Sequence, residues 1–183
     1  MALKSTIFKA RLNVADMDRN VYGDFNLTLA RHPSETDQRM MLRLLAFALN
    51  ADEQLEFGRG ISTDDEPDLW GKNYTEEIDL WIDLGTPDEK RIRKACGQAR
   101  EVIVYAYNER SAKLWWEKSQ GSLQRHDNLT VCLFDDHTRD TIGDLVSKSM
   151  RLQITIQDNY VIFGDTANTV SFSPTILKAG NDR

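Results

Sequence analysis

The sequence predicts a mixed α/β chain folded as one domain over residues 1–183, with an α/β core and β structure contributed by both ends. Three observations predict it. Residues 78–134 alternate strand, helix, strand, helix, strand, which calls for right-handed crossovers and some parallel pairing. Both terminal regions alternate apolar and polar residues with a period of two. The 183 residues, 40% hydrophobic and 28% charged, have the size and mix of an ordinary globular domain, and no repeat, low-complexity tract or Pro/Gly/Ser linker divides them.

At the N-terminus, Leu3, Ile7 and Phe8 lead toward Leu12 and Val14, and Asp16-Met17-Asp18-Arg19-Asn20 turns the chain. Residues 21–30 return with Phe25, Leu27 and Leu29 alternating against polar neighbours, an antiparallel hairpin. Arg31 to Arg39 opens a helix with Pro33 or Ser34 at its start and acids in the first turn, where the macrodipole favours them. Met40, Met41, Leu44, Leu45, Phe47 and Ala48 continue it at helical spacing to about Asn50.

Gln54 to Ile61 suits a short strand with an irregular end, because it holds Leu55 and Phe57 but also two glycines. An acidic run from Thr63 to Asp68 and the pair Leu69-Trp70 follow. Ile78 to Leu84 is apolar enough to be a central strand and stops at Gly85. Thr86 as cap, Pro87 at the first position and acids behind it start a helix that runs to about Ala99 or Arg100. Val102 to Tyr107 is dense in β-branched and aromatic residues, Glu109 to Gln120 is helical and carries Trp115 and Trp116, and Leu129 to Phe134 repeats the strand pattern. A short helix is expected over Thr141 to Ser149. Residues 152–156 and 160–163 flank Asp158-Asn159, and 170–172 offers a third strand. The two ends of the chain are thus expected to pair as an antiparallel layer against a core at about 34–135.

The formal net charge of −6 argues against coating nucleic acid by bulk electrostatics, since phosphate binding needs clustered positive charge. Contact with nucleic acid is therefore expected to be local and metal-assisted. No apolar run approaches the roughly 18 residues of a membrane span, and the first residues lack the unbroken apolar stretch of a signal peptide, so a soluble, cytoplasmic protein is expected. Cys96 and Cys132 lie far apart without metal-ligand spacing and read as small buried hydrophobes.

Several carboxylates stand where core building has little use for them. Asp79 and Asp83 lie four apart in an apolar strand and so face the same side, and Asp68 follows Pro67 at a distance that lets two adjacent antiparallel strands set it beside Asp83. Like charges buried side by side are costly unless a cation or donors compensate. Oxygen ligands of this kind suit Mg²⁺, which takes one or two carboxylates, keeps several waters and accepts a phosphate oxygen. Asp79 has a second reading, in solvent or paired with an arginine. Glu35 likewise has one as a first-turn helix acid. His32 reads as a backbone partner before the helix, and His126 and His137 have no metal spacing.

Pro67-Asp68, Asp83 at a strand end, a preceding helix with Glu35 and a following helix with Lys94 resemble the core of PD-(D/E)XK nucleases. The wider wording is similar to the YaeQ family over nearly the whole chain: Thr28 to Glu35, Asp64 to Pro67, Ile78 to Gly85 and Arg91 to Cys96 carry it. That family is regarded as a variant of the nuclease fold with extra β structure around the core. The resemblance implies a Mg²⁺ ion, replaceable by Mn²⁺, held by Glu35, Asp68 and Asp83. The motif lysine, two positions after Asp83, is replaced by Gly85; the resemblance offers Lys94 on the following helix instead, to orient water or neutralise charge, with Gln98 one turn further on. Arg31, Arg39, Arg43 and Arg59 surround the first helix and the strand after it in sequence, either lining a cleft that receives phosphates or forming a scattered solvated set. The function implied is a Mg²⁺-dependent nuclease or phosphodiesterase acting on DNA or RNA. The alternative is a non-catalytic module that binds nucleic acid or a protein through the same fold.

Overall fold

The computed structural model describes residues 4–59 and 65–181, which fold into eleven strands and four helices. In chain order these are β1 (Thr6–Asp16), β2 (Val21–Arg31), α1 (Asp37–Leu49), β3 (Leu55–Phe57), β4 (Leu69–Lys72), β5 (Ile78–Leu84), α2 (Glu89–Gln98), β6 (Ala99–Ala106), α3 (Glu109–Leu123), β7 (Leu129–Leu133), α4 (Asp136–Gly143), β8 (Ser149–Gln157), β9 (Tyr160–Gly164), β10 (Thr169–Phe172) and β11 (Thr175–Lys178). They divide into two compact units, Met1–Ala51 with His137–Ser173 and Asp52–Asp136 with Pro174–Arg183. Leu3, Ile61, Thr63 and Asp64, which the sequence reading assigned to the first hairpin, the third strand and the acidic run, lie outside the described residues.

The first unit is built on a five-stranded sheet in the order β10-β9-β8-β1-β2. β1 and β2 pair antiparallel along their full length, from Thr6↔Arg31 to Asp16↔Val21, around a turn in which Asn20 takes φ +58°. Alternation sends Phe8, Ala10, Leu12 and Val14 to the buried face and their neighbours to solvent. α1 packs on β1 and β2, and Phe47 meets Phe25 edge to face with ring centroids 5.5 Å apart. The α1 cap is Thr36 rather than Ser34 or Pro33: its side chain accepts from the Arg39 N–H, a donor the first helical turn would otherwise leave unpaired.

The terminal layer is mixed rather than antiparallel. β8 joins β1 in parallel, from Lys9↔Ser149 to Asp16↔Ile156, while β8-β9 and β9-β10 are antiparallel. A two-residue hairpin dictates direction, as at Asp158-Asn159, but the long stretch of chain between β1 and β8 does not.

The second unit is a six-stranded sheet in the order β11-β7-β6-β5-β4-β3. β5, β6 and β7 are parallel and connected through α2 and α3, the crossover arrangement expected from the strand and helix alternation. Trp81, Val102, Val104, Leu129 and Val131 form its core with Ile92 and Ala95 of α2 and Leu123 of α3. β4 runs antiparallel to β5 through Leu69↔Ile82. β11, absent from the sequence reading, pairs with β7, and the buried ammonium of Lys178 donates to the carbonyls of His126 and Leu129 at 2.7 and 3.0 Å. α2 is capped by Asp88, which accepts from the Arg91 N–H at 2.8 Å, rather than by Thr86.

The helix expected over 141–149 lies instead at 136–143. The backbone N–H of Asp136 donates to the Glu109 carboxylate and that of Glu109 to the Asp136 carboxylate, a reciprocal contact between chain segments that local periodicity does not reveal. Among the described residues no helix is long and apolar enough to cross a membrane.

Candidate functional site

The antiparallel pair Leu69↔Ile82 sets the frame for the two central acids, because the next residue outward on each strand is Asp68 on one and Asp83 on the other. Both are buried. Asp68 Oδ2 accepts the backbone N–H of Leu84 at 2.8 Å, which ties the Pro67-Asp68 corner to the end of β5. The same corner is pressed against the end of β3. The Gly58 N–H donates to the Asp68 carbonyl at 2.9 Å, and a Cβ on Gly58 would stand 1.9 Å from the Pro67 carbonyl oxygen, so only glycine fits there.

Asp83 is held by a residue that reasoning from sequence did not single out for the site. Arg91, in the first turn of α2, clasps its carboxylate with two bonds, Nε to Oδ2 at 2.9 Å and Nη2 to Oδ1 at 3.1 Å. Trp81 Nε1 adds a third at 3.1 Å. Arg91 Nη2 also reaches the Glu66 carbonyl at 3.0 Å, and its guanidinium lies 5.8 Å from the centre of the Trp81 ring. The fork of an arginine matches a carboxylate in this two-point manner and supplies the positive charge that a buried acid needs. The available signal was the stop of β5 followed by Asp88 as helix cap, which directs the first turn of α2 back to the strand end.

Gly85 takes φ +102° and its N–H donates to the Tyr105 carbonyl at 2.9 Å. A side chain at this position is strained whatever its chemistry, which gives the missing motif lysine a backbone reason. Lys94 is exposed on α2 and pairs with Asp65 at 3.2 Å, and Gln98 is exposed one turn further along. Arg59 engages Glu66, its backbone N–H at 2.9 Å and its guanidinium at 3.5 Å. Asp79 pairs with Arg100 at 3.4 Å.

Glu35 belongs to the first unit and is buried there in an arginine cluster. Arg43 binds it through Nε to Oε2 at 2.9 Å and Nη2 to Oε1 at 2.7 Å, and Arg39 Nη1 adds a bond to Oε2 at 2.8 Å. Arg31 pairs with Asp37 and lies over the ring of Phe8 at 5.2 Å. Arg31, Arg39 and Arg59 thus each have a carboxylate partner within the chain. His32 pairs with Ser34 at the helix approach, as its backbone-partner reading expects. Among the described residues, no group of three or more His, Cys, Asp and Glu side chains is gathered as a metal shell.

A sequence model of the YaeQ protein family matches residues 1–174 of this chain. The chain belongs to the YaeQ family. It is 50% identical over 175 residues to the YaeQ protein of Escherichia coli (strain K12), covering 96% of this chain and 97% of that protein, and is equally similar to that of Salmonella typhi. Its fold matches the crystal structure of YaeQ from Xanthomonas axonopodis pv. citri with a TM-score of 0.93 at 47% identity, covering 96% of this chain and 99% of that one. For YaeQ from Pseudomonas syringae the TM-score is 0.88 at 32% identity, covering 96% and 97%. The two YaeQ cysteines are both free; Cys132 is buried, while Cys96 is half-buried and desolvation pushes its thiol up to about 11, so it behaves as a small hydrophobe rather than a nucleophile.

Proposed function

We propose that this YaeQ chain is a divalent-metal-dependent phosphodiesterase acting on nucleic acid in the cytoplasm, built on a variant of the PD-(D/E)XK core. The observation that carries this reading is the pairing of two buried carboxylates, Asp68 and Asp83, at the facing ends of neighbouring strands, with a helix start directed at them. The donor chemistry suits Mg²⁺ or Mn²⁺, which accept one or two carboxylates and fill the remaining positions with water and phosphate oxygens. Such an ion supplies Lewis acidity and an activated water.

The chain's own groups divide the remaining work. Asp68 is anchored by the Leu84 N–H through one oxygen. Asp83 has both oxygens on Arg91, so ligation by Asp83 requires the guanidinium to turn away and becomes an exchange of one cation for another. Lys94, long, flexible and exposed, is the group that orients water or offsets charge on the scissile phosphate in place of a lysine at Gly85. Glu35 is left out of the ion site in this reading, because its carboxylate is already satisfied by Arg43 and Arg39.

One observation favours a second reading, a non-catalytic module that binds nucleic acid or a protein. Arg91 already compensates Asp83, and a closed Asp-Arg pair needs no ion to be stable. Incubation of the purified protein with mixed DNA and RNA in Mg²⁺ or Mn²⁺ separates the two. Cleavage that disappears in Asp83→Ala and falls in Lys94→Ala supports the phosphodiesterase. Salt-dependent binding without cleavage in either metal, unchanged in Asp83→Ala, supports the module and rejects the enzyme.

A further inference from the structure

The first unit carries a surface of opposite character to the chain as a whole. Strand alternation presents one face of the β10-β9-β8-β1-β2 sheet to solvent, and at its centre stand Lys9 and Arg11 of β1 beside Arg151 of β8. The register pairs Arg11 directly with Arg151, so two like charges sit on neighbouring strands about 4.8 Å apart. Asp24 is the one carboxylate among the outward residues of these five strands, and it already accepts from Asn13 Nδ2 at 2.9 Å. In the adjoining turns Asp18 takes the N–H groups of Asp158 and Asn159, and Asp165 those of Ala167 and Asn168, while Asp158 is exposed.

Lys9, Arg11 and Arg151 form no ion pair among the described residues, in a chain of net charge −6 in which Arg19, Arg43, Arg91 and Arg100 are each answered by an acid. A shallow depression of 360 Å³ lies over this triad, bordered by Asn26 and Thr28, and a second of 440 Å³ lies over Arg11 and Arg151, bordered by Asn13, Asp24 and Gln153. Toward one end of the same face two tyrosines stand out, Tyr22 of β2 at 59% exposure and Tyr160 of β9 at 49%. They are three strand intervals apart and offset by two residues along the strands, about 16 Å.

We propose that this open sheet face binds single-stranded nucleic acid, with Lys9, Arg11 and Arg151 receiving backbone phosphates and Tyr22 and Tyr160 stacking bases. Unpaired cations with amide and hydroxyl neighbours suit a phosphodiester backbone, and exposed aromatic rings on an open sheet face suit unstacked bases, which a duplex does not offer. The inference uses the first unit alone and is independent of the reading of Asp68 and Asp83.

The test is fluorescence anisotropy with short labelled oligo(dT) and oligo(rU), the two arms separating DNA from RNA. Binding is expected to weaken with salt at a slope of about −2 in log K against log salt, from three phosphates at about 0.7 each. R11Q/R151Q, which alters only exposed side chains, should reduce that slope by about 1.4. Y22A/Y160A should weaken binding at least about fivefold at unchanged slope. No binding of either oligonucleotide at low salt, undiminished binding in R11Q/R151Q, or tighter binding of duplex than of single strand would each overturn the proposal.

Discussion

Replacement of Arg91 by methionine isolates the contact on which the central pair depends. Methionine keeps the length of the stem but removes the guanidinium, leaving Asp83, 3% exposed, with Trp81 Nε1 and without its two charge-assisted bonds at 2.9 and 3.1 Å. Removing one partner of a buried pair costs about 3–5 kcal/mol. The Arg91 side chain is 28% exposed, so solvent screening lowers the expectation to about 2–3 kcal/mol. For a chain of this size that is a fall in Tm of roughly 5–10 °C. Thermal and urea melts of the parent, Arg91→Met, Asp83→Asn and the double variant give the coupling directly. If Arg91 acts as counter-ion to Asp83, the double variant is more stable than the sum of the single losses requires, by more than about 1 kcal/mol. Arg91→Met melting within about 2 °C of the parent, or additive losses around the cycle, would refute the reasoning. The same variant serves the metal question. With the arginine gone, Mn²⁺ should raise the Tm of Arg91→Met in a concentration-dependent way and do so much less in Arg91→Met/Asp83→Asn, because an ion that binds only the folded state stabilises it by mass action.

Glu35→Ala leaves the buried guanidinium of Arg43 without its carboxylate, though still bonded to the Ala30 carbonyl, and should cost about 3–5 kcal/mol, measured by urea denaturation; a loss below about 1 kcal/mol would show that Arg43 needs no counter-charge there. Gly85→Lys restores a lysine to the motif position but forces a side chain onto φ +102°, so it should destabilise by about 1–3 kcal/mol without raising any cleavage activity, read from a melt and a nuclease assay together. His126 is held below its ordinary pKa, first by burial and then by the neighbouring charges of Arg125 and Lys178, and its Nε2 is buried without a hydrogen-bond partner among the described residues. The folded state therefore prefers the neutral ring while the unfolded chain takes up a proton below about pH 6.5, so stability should fall as pH drops through that value. The urea midpoint should decline less between about pH 7.5 and 5.5 in His126→Gln than in the parent.

Most elements of this fold were legible because they follow from local repeats. The hairpin of β1 and β2 shows period two on both sides of a turn-forming segment, and α1 shows apolar residues at helical spacing. The adjacency of Asp68 and Asp83 was legible for a related reason, since a short connection between two strands brings them into antiparallel register. The misplacements fall where a distant group or the path of the backbone decides. α4 starts at Asp136 because Glu109, 27 residues earlier, pairs with its first turn. Thr36 and Asp88 cap their helices in place of plausible neighbours because their side chains reach the Arg39 and Arg91 amides, a matter of backbone path rather than residue type.

By itself the chain of residues determined the strand and helix periods, the pairing of a Pro-Asp corner with an acid at a strand end, and membership in a family. Tertiary structure alone decided which cation answers which carboxylate, giving Arg91 to Asp83 and Arg43 to Glu35. It also made the β1-β8 pairing parallel, added β11 and Lys178 beside β7, and gathered Lys9, Arg11 and Arg151 on one open face. The physical reason is range. Periods act over a few residues and are written into local sequence, whereas strand pairing joins positions tens to more than a hundred residues apart and ion pairs eight residues apart still cross from one element to the next, so only the folded backbone brings these groups within the few ångströms over which charges and hydrogen bonds act.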